Sequence, residues 1–302
     1  MAEFRYSIIK NPEIFMENRL PAHSDHAFYR SEESAAANDA DFKVSLNGVW
    51  KFSYAKNIAS AIEGFEKADY DCKTWDDIRV PAHIQMEGYD TPQYANTQYP
   101  WDGRQAVLPG EIPEEFNPVG SYVKYFEVPK NMEEGPVFIS FQGVESGMAL
   151  WLNGHYVGYS EDSFTPSEFD LTPYLVKGIN KLAVQVYKWT AGSWCEDQDF
   201  FRFSGIYREV YLYTIPKVHI CDLKLKTILD QDYKDAVLQL DLETNADGKA
   251  EVCLADDDVE MVMSAALEEG HNHIEMPVKE PFLWSAEDPY LYDLTIRVQN
   301  KA

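Results

Sequence analysis

The stretch Met148-Ala-Leu-Trp-Leu-Asn-Gly-His-Tyr-Val-Gly-Tyr159 decides the fold class of this chain. Apolar and aromatic residues fill two short runs on either side of Asn153-Gly154. Asn-Gly is the preferred pair for a type I′ turn, because both central residues of that turn need a positive φ. The stretch therefore predicts a β-hairpin, with one strand on each side of the turn.

The same two-residue periodicity continues outward from this hairpin. Further runs rich in β-branched and aromatic residues predict strands at Val137–Phe141, Lys181–Tyr187 and Arg208–Tyr213. Helical signals are weak: Ala59–Lys67 and Asp257–Glu268 could each hold two or three turns, with acidic surface loops as the alternative. Strands and helices do not alternate in the way that builds a parallel sheet or barrel. The sequence predicts an all-β protein.

A second domain is predicted to begin after Thr214-Ile-Pro216. Alternating strands follow at the even spacing of a small β-sandwich. They are Val218–Thr227, Ala236–Glu243, Ala250–Leu254, His273–Met276 and Tyr290–Val298. We predict domains at 1–216 and 217–302. We also expect the second sandwich to be truncated at its C-terminal edge, without a closing strand.

Composition narrows the class of partner. The 302 residues include 26 Lys and Arg against 51 Asp and Glu, a formal net charge of -25. This charge repels phosphate backbones and anionic lipid, so we expect neither nucleic acid nor membrane as a partner, and a neutral sugar fits better. The opening residues lack a signal-peptide pattern, and no apolar run is long enough to span a membrane. Four scattered cysteines without metal-ligand spacing read as reduced thiols, and we expect a cytoplasmic protein.

The segment Gly192–Val210 places Glu196, Asp197 and Asp199 among aromatic residues. A hexose offers hydroxyls to carboxylates and an apolar C–H face to rings, so a sugar site interleaves these residue types. The alternative is a loop of solvated acids over an aromatic cluster. A catalytic acid and base drawn from the three acids is a further alternative, since hydrolysis of a glycosidic bond needs two carboxyl groups.

Two other groups of residues have open interpretations. The loop Tyr94-Ala-Asn-Thr-Gln-Tyr-Pro-Trp101 offers amides and rings to a sugar, although an aromatic loop packed on a neighbouring domain explains the same residues. His271-Asn-His273 puts two imidazoles on one face of a strand, where they could hold a metal, and a solvated turn is the alternative.

A dozen short segments together resemble the bacterial β-galactosidases of glycoside hydrolase family 2, in the family's order and over essentially the whole chain. Those that carry the resemblance include Asn18-Arg-Leu-Pro-Ala-His23, Leu46-Asn-Gly-Val-Trp-Lys-Phe52, Tyr94-Ala-Asn-Thr-Gln-Tyr-Pro100, Trp151-Leu-Asn-Gly154, Gly158-Tyr-Ser-Glu-Asp-Ser163, Glu196-Asp-Gln-Asp199, Ser204-Gly-Ile-Tyr-Arg208 and Leu283-Trp-Ser-Ala-Glu287.

The resemblance implies a fold, and it implies that catalysis belongs to a different domain of the family's proteins. It implies a jelly-roll sugar-binding domain over 1–216, followed by an immunoglobulin-like or fibronectin-III-like β-sandwich over 217–302. In the family a (β/α)8 barrel comes next and carries the catalytic glutamates and the magnesium ligands. We therefore expect no catalytic residue in this chain, no tightly bound cofactor, and no activity from the chain alone.

The resemblance also implies roles for three residues. Asn96 matches the family's asparagine that hydrogen-bonds galactose, and Thr97 occupies the neighbouring position, where the family often has valine. Asp199 matches the aspartate that reaches the barrel's active site, contacts a galactose hydroxyl and binds sodium. We expect Glu196 and Asp197 to support the loop that carries Asp199.

The function implied is that of the N-terminal, non-catalytic portion of a β-galactosidase. Its partners would be β-galactosides, the missing barrel and further copies in a homo-oligomer. The alternatives are a free-standing carbohydrate-binding module, a scaffold domain, and the same portion of a β-glucuronidase or β-mannosidase.

Overall fold

The computed structural model describes residues 3–38, 42–133, 135–256 and 260–300. The chain folds into two compact units, one formed by Met1–Pro21 with Ala40–Thr214 and the other by Ala22–Asp39 with Ile215–Ala302. Both units are built from strands, which confirms the all-β prediction. No helix in the described part of the chain has the length and apolar character needed to cross a membrane.

The first unit contains fifteen strands within its described residues. They are β1 (Met16–Glu17), β2 (Lys43–Ser45), β3 (Gly48–Ala55), β4 (Asp76–Val80), β5 (Gln93–Ala95), β6 (Val119–Glu127), β7 (Phe138–Phe141), β8 (Val144–Glu145), β9 (Gly147–Leu152), β10 (His155–Ser160), β11 (Ser167–Asp170), β12 (Ile179–Tyr187), β13 (Phe200–Arg202), β14 (Gly205–Ile206) and β15 (Val210–Tyr213).

Short helices connect some of these strands. The α-helix α2 spans Ser193–Glu196, after α1 (Glu32–Ala36) in the second unit. Single 3₁₀ turns lie at Tyr6–Lys10, Ile58–Ser60, Ile84–Glu87, Lys130–Met132 and Thr172–Tyr174. Of the helical window predicted at Ala59–Lys67, only the 3₁₀ turn at Ile58–Ser60 forms, capped by the Asn57 side chain. The loop alternative describes the remainder, which turns at Gly64 with φ +73°.

Two main sheets enclose the core of this unit. A seven-stranded sheet has the order β1-β10-β9-β12-β6-β3-β4, and a four-stranded sheet has the order β11-β7-β15-β2. Their facing side chains form one apolar cluster that includes Trp50, Leu150, Val184, Ile139 and Leu212. A second cluster covers the other face of the large sheet, and both faces of β12 are consequently buried. A two-layer β-sandwich of this kind needs no helix to close its core.

The hairpin that predicts the fold class is present. Strand β9 pairs with β10 across Asn153 and Gly154, whose φ angles are +53° and +85°. Both values lie in the left-handed region that a type I′ turn requires. Asn153 also donates from Nδ2 to the backbone oxygen of Tyr174, which ties the turn to a neighbouring loop.

The second unit is a sandwich of two three-stranded sheets. Its strands are β16 (Ile220–Leu229), β17 (Asp235–Thr244), β18 (Gly248–Ala255), β19 (Glu260–Leu267), β20 (Gly270–Lys279) and β21 (Asp293–Asn300), in the sheet orders β16-β17-β20 and β19-β18-β21. Side chains from both sheets, among them Leu240, Leu242, Val252 and Ile274, form its core. This is the predicted immunoglobulin-like type of sandwich.

The prediction of a helix or an acidic surface loop for Asp257–Glu268 is wrong over Glu260–Leu267. Glu260–Leu267 is strand β19, paired antiparallel with β18 along its length. Met261, Met263, Ala265 and Leu267 point inward at every second position, which is strand periodicity. The good helix formers in this window are overridden by pairing with β18. Residues 257–259 lie outside the described ranges.

One segment near the N-terminus belongs with the second unit. The backbone N–H of Ser24 donates to Asp222 Oδ1 at 2.8 Å, and His26 Nε2 donates to the Ile220 carbonyl oxygen at 2.9 Å. The structure therefore places Ala22–Asp39 in the unit of β16, whereas the sequence-based boundary assigns residues 1–216 to one domain. Such a pairing across about two hundred positions leaves no local sequence signal.

Candidate sugar-contacting site

A short ladder joins the two loops that the sequence singles out. Strand β5 pairs antiparallel with β13, with Phe200 opposite Ala95, Phe201 opposite Tyr94 and Arg202 opposite Gln93. Asn96 and Asp199 are the next residues beyond the Ala95–Phe200 pair. The register therefore brings these two predicted site residues together at one end of the ladder.

Asp199 is exposed and lies in a turn between α2 and β13. Its φ of +48° is in the left-handed region, which aspartate tolerates better than most residues. The Tyr94 hydroxyl donates to Asp199 Oδ1 at 2.6 Å, and this hydrogen bond raises the pKa of Tyr94 above its ordinary value. The carboxylate is thus oriented by a residue of strand β5 while it remains open to solvent.

Asn96 and Thr97 are both exposed. The Thr97 backbone N–H donates to Asn96 Oδ1 at 2.6 Å, so the amide oxygen is engaged. Asn96 Nδ2 donates to none of the residues that the structure describes. Asn96 can therefore donate a hydrogen bond to a ligand, whereas the structure gives the Thr97 side chain no comparable orientation.

Exposed aromatic rings lie near the two polar residues in two contacting pairs. Tyr94 and Phe201 lie 5.2 Å apart between ring centroids, and Phe164 and Phe200 lie 5.6 Å apart. Phe201 is 57% exposed and Tyr94 is 55% exposed, which is unusual for large aromatic side chains. We call Tyr94, Phe164, Phe200 and Phe201 the aromatic rim. Sequence reasoning missed Phe164, which lies in a different loop and gives no signal of proximity.

The loop Tyr94–Trp101 has an exposed ring, as a sugar site needs, and other rings that pack within the protein. Tyr94 belongs to the exposed rim, but Trp101 is fully buried and stacks on Tyr99 at 5.1 Å. Tyr99 in turn donates to the Trp194 carbonyl oxygen at 3.0 Å. The packed part of the loop therefore contacts the acidic segment of its own unit.

Glu196 and Asp197 turn inward, away from Asp199. The Ser163 hydroxyl donates to Glu196 Oε2 at 2.6 Å, and burial raises the pKa of Glu196. Asp197 is only 3% exposed, and its Oδ1 lies 2.8 Å from Arg202 Nη1. Of Glu196, Asp197 and Asp199, only Asp199 is exposed and can reach a ligand at the surface. This arrangement fits a supporting role for Glu196 and Asp197 better than an acid/base pair.

A buried charged cluster behind the turn was missed from the sequence. It comprises Asp197, Arg202 and Glu145, with His83 beside them at 3.9 Å from the Glu145 carboxylate. Burial raises the pKa of Asp197 and of Glu145 to about 7 each, and burial lowers the pKa of His83. The His83 ring stacks on both Phe203 and Tyr207, at 4.5 and 4.8 Å. In the sequence, only Arg202 hints at this cluster, because it is a charged residue within an aromatic strand.

Asp199 is the candidate metal ligand at this site. Asp199 offers carboxylate oxygen, the ligand type that hard cations prefer, and further ligands would have to come from outside this site. No group of three or more His, Cys, Asp or Glu suited to a metal occurs among the described residues. His271 and His273 are both exposed beside Asp241, at 3.8 and 2.7 Å from its Oδ1.

Comparison with known proteins follows the same division of the chain. Residues 43–216 match the description "Glycosyl hydrolases family 2, sugar binding domain", and residues 218–302 match "Glycosyl hydrolases family 2". The β-galactosidase of Halalkalibacterium halodurans is 51% identical over 97% of this chain and 30% of its own length. The β-galactosidase of Clostridium acetobutylicum is 47% identical over 97% of this chain and 33% of its own length.

A solved structure shares the fold at low sequence identity. The crystal structure of a β-glycosidase from Bacteroides vulgatus aligns with a TM-score of 0.66, at 24% identity, over 86% of this chain and 32% of that one. The chain thus spans about a third of the length of each of these three proteins.

Proposed function

Since the chain belongs to family 2 of the glycosyl hydrolases, we propose that it supplies one wall of a galactose-binding pocket to a catalytic barrel that these 302 residues do not contain. One observation carries the proposal. The β5–β13 ladder places Asn96 and Asp199 side by side at an exposed, aromatic-rimmed edge. Amide donors, carboxylate acceptors and ring faces are the groups that bind a sugar.

The roles follow from the chemistry of each side chain. Asp199 accepts a hydrogen bond from a galactose hydroxyl, and Asn96 donates one through Nδ2. Neither residue moves a proton in the reaction. Because both are held in place beforehand, their hydrogen bonds strengthen as charge develops on the sugar, whereas two carboxylic acids elsewhere perform the double displacement.

The metals implied by family resemblance divide between the two parts of such an enzyme. A sodium ion at the pocket would neutralise local negative charge and orient oxygen atoms. Asp199 would contribute one carboxylate oxygen to it, as the only matched ligand in this chain. The chain has no residue that we assign to magnesium.

The aromatic rim has a second use in this proposal. Exposed rings such as these two contacting pairs reduce solubility unless another surface covers them. We propose that the barrel contacts part of this rim, so that the rings border the closed pocket. The complete enzyme would act on β-galactosides in the cytoplasm, as a homo-oligomer. The four cysteines, all free, fit a reducing compartment.

A grafting experiment tests the proposal. This chain would replace the matching N-terminal 30% of the Halalkalibacterium halodurans β-galactosidase. We expect the graft to hydrolyse a chromogenic β-galactoside, and both this chain alone and the relative without its matching part to be inactive. Hydrolysis by the purified chain alone, with host enzyme excluded, would overturn the proposal.

Calorimetry on the isolated chain separates the remaining alternatives. An open half-site leaves most of the ligand in water, so lactose should bind with a Kd of about 1 mM or weaker. Tight binding would instead identify a free-standing carbohydrate-binding module. A graft whose activity survives both Asn96→Ala and Asp199→Ala would identify a scaffold.

A further inference from the structure

A buried ion pair closes the base of the turn that carries Asp199. Asp197 and Arg202 lie five positions apart, are 3% and 1% exposed, and approach to 2.8 Å. Between them the chain passes outward to Asp199, which is exposed and has a φ of +48°. The left-handed conformation of Asp199 costs backbone free energy, so other contacts in the fold must stabilise the turn.

Arg202 is suited to that task because several carboxylates face it. Asp197 and Glu196, at the end of α2, and Glu145, in β8, all act electrostatically on its guanidinium. None of the described residues accepts a well-aligned hydrogen bond from its nitrogen atoms, so attraction between charges holds the group. Lys188 also acts on Asp197, but it is paired with Asp90 at 2.5 Å. Arg202 is therefore the cation committed to this cluster.

The β5–β13 ladder connects Arg202 to the two site residues Asn96 and Asp199. Arg202 ends β13 and lies opposite Gln93, and the pairing then runs to Phe200 opposite Ala95. Asn96 and Asp199 follow directly. Only three residues pair on each strand, and so short a ladder cannot define its own register strongly. If Arg202 is fixed at one end of the ladder, its position therefore determines where Asn96 and Asp199 lie at the other end.

We propose that Arg202 is a positioning residue. Through its ion pair with Asp197 it fixes the turn 197–202 and the register of β5 on β13, so that Asp199 and Asn96 present their side chains together to a sugar. The contact of Asp199 and Asn96 with a sugar rests on the proposed function above. The effect of Arg202 on the β5–β13 pairing does not depend on it.

Hydrogen exchange on the 302-residue chain tests the fixing of the ladder. In Arg202→Lys the charge is confined to one strongly hydrated ammonium nitrogen instead of being spread over a guanidinium that faces several carboxylates. We therefore expect the amides of 93–95 and 200–202 to exchange about tenfold faster. Arg79→Lys is the matched control, because Arg79 pairs with Glu87 on the surface at 2.6 Å. Asp197→Asn weakens the same ion pair from the other side. Unchanged exchange in both ladder variants would overturn the proposal.

Kinetics in the grafted enzyme test the link to the sugar. We expect Arg202→Lys to lower kcat/KM about tenfold, mainly by raising KM, and Asp199→Ala to lower it further. The double variant should lose less transition-state stabilisation than the sum of the two single losses, because Arg202 acts partly through Asp199 and partly through Asn96. Additive losses would overturn the positioning role. An Asp199→Ala variant with full activity would contradict the proposed function, and the exchange experiment would still decide the ladder.

Discussion

Two charged clusters of this molecule differ chiefly in their exposure to water. In the first unit Arg202, Asp197 and Glu145 are buried beneath the turn of Asp199. In the second unit Asp241, His273 and Glu275 pair on the outer face of strands β17 and β20, with exposed or half-exposed side chains. Both bring opposite charges within 3 Å. Only the buried cluster can constrain the chain strongly, because water screens the exposed one.

The largest effect should come from removing one arginine from each unit. Arg202→Met leaves two buried carboxyl groups without their cation, which should cost about 3–5 kcal/mol of unfolding free energy. Arg297→Met removes an exposed arginine that pairs with Glu32 and Glu251, and should cost about 1 kcal/mol or less. Urea unfolding of both variants checks the difference. Equal losses would show that burial does not decide how much an arginine ion pair contributes to the stability of this chain.

The second prediction concerns the pH dependence of the buried cluster. Burial raises the pKa of Glu145 from 4.5 to about 7, so between these values the folded chain binds a proton that the unfolded chain releases. This group therefore lowers stability as pH rises from 4.5 to about 7. Glu145→Gln should stabilise the first unit by about 3 kcal/mol at about pH 8 and have little effect at about pH 4. Thermal unfolding at both pH values checks this, and a pH-independent effect would contradict it.

A smaller effect is expected at Asp199 itself. Asp199→Gly loses the hydrogen bond from Tyr94 but relieves the positive φ, and the two changes offset each other. We expect the unfolding free energy to change by less than about 1 kcal/mol. Urea unfolding measures this directly. A large destabilisation would show that Asp199 serves the fold, and would weaken its assignment to a ligand.

The smallest effect belongs to the exposed cluster. The hydrogen bond to Asp241 raises the pKa of His273, so its stabilisation is complete below the ordinary value of 6.5 and is lost as pH rises through the raised value. Asp241→Asn should return the pKa of His273 towards 6.5, with little change in the melting temperature of the chain. Imidazole NMR titration checks this shift. An unchanged titration would mean that the pairing with Asp241 has no electrostatic effect.

The same contrast explains what the sequence could predict. Asn153-Gly154 and the alternating strands act locally, so the hairpin, the all-β class and the second sandwich follow from residue patterns. Family resemblance points to Asn96 and Asp199, and the structure adds the ladder that joins them. Glu145 and His83 are far from Arg202 in sequence, and folding alone makes them one cluster. Such long-range contacts leave no periodic signal in one sequence.

The contact between Asp199 and the sugar is the central element of the proposed function. The direct test is kcat/KM for a β-galactoside in the grafted enzyme, comparing Asp199→Asn with Asp232→Asn, an exposed aspartate in a loop of the second unit. We predict a loss of about a hundredfold for Asp199→Asn, as expected when one oriented polar contact is removed, and no loss for Asp232→Asn. Equal activity in the two variants would contradict a contact between Asp199 and the sugar.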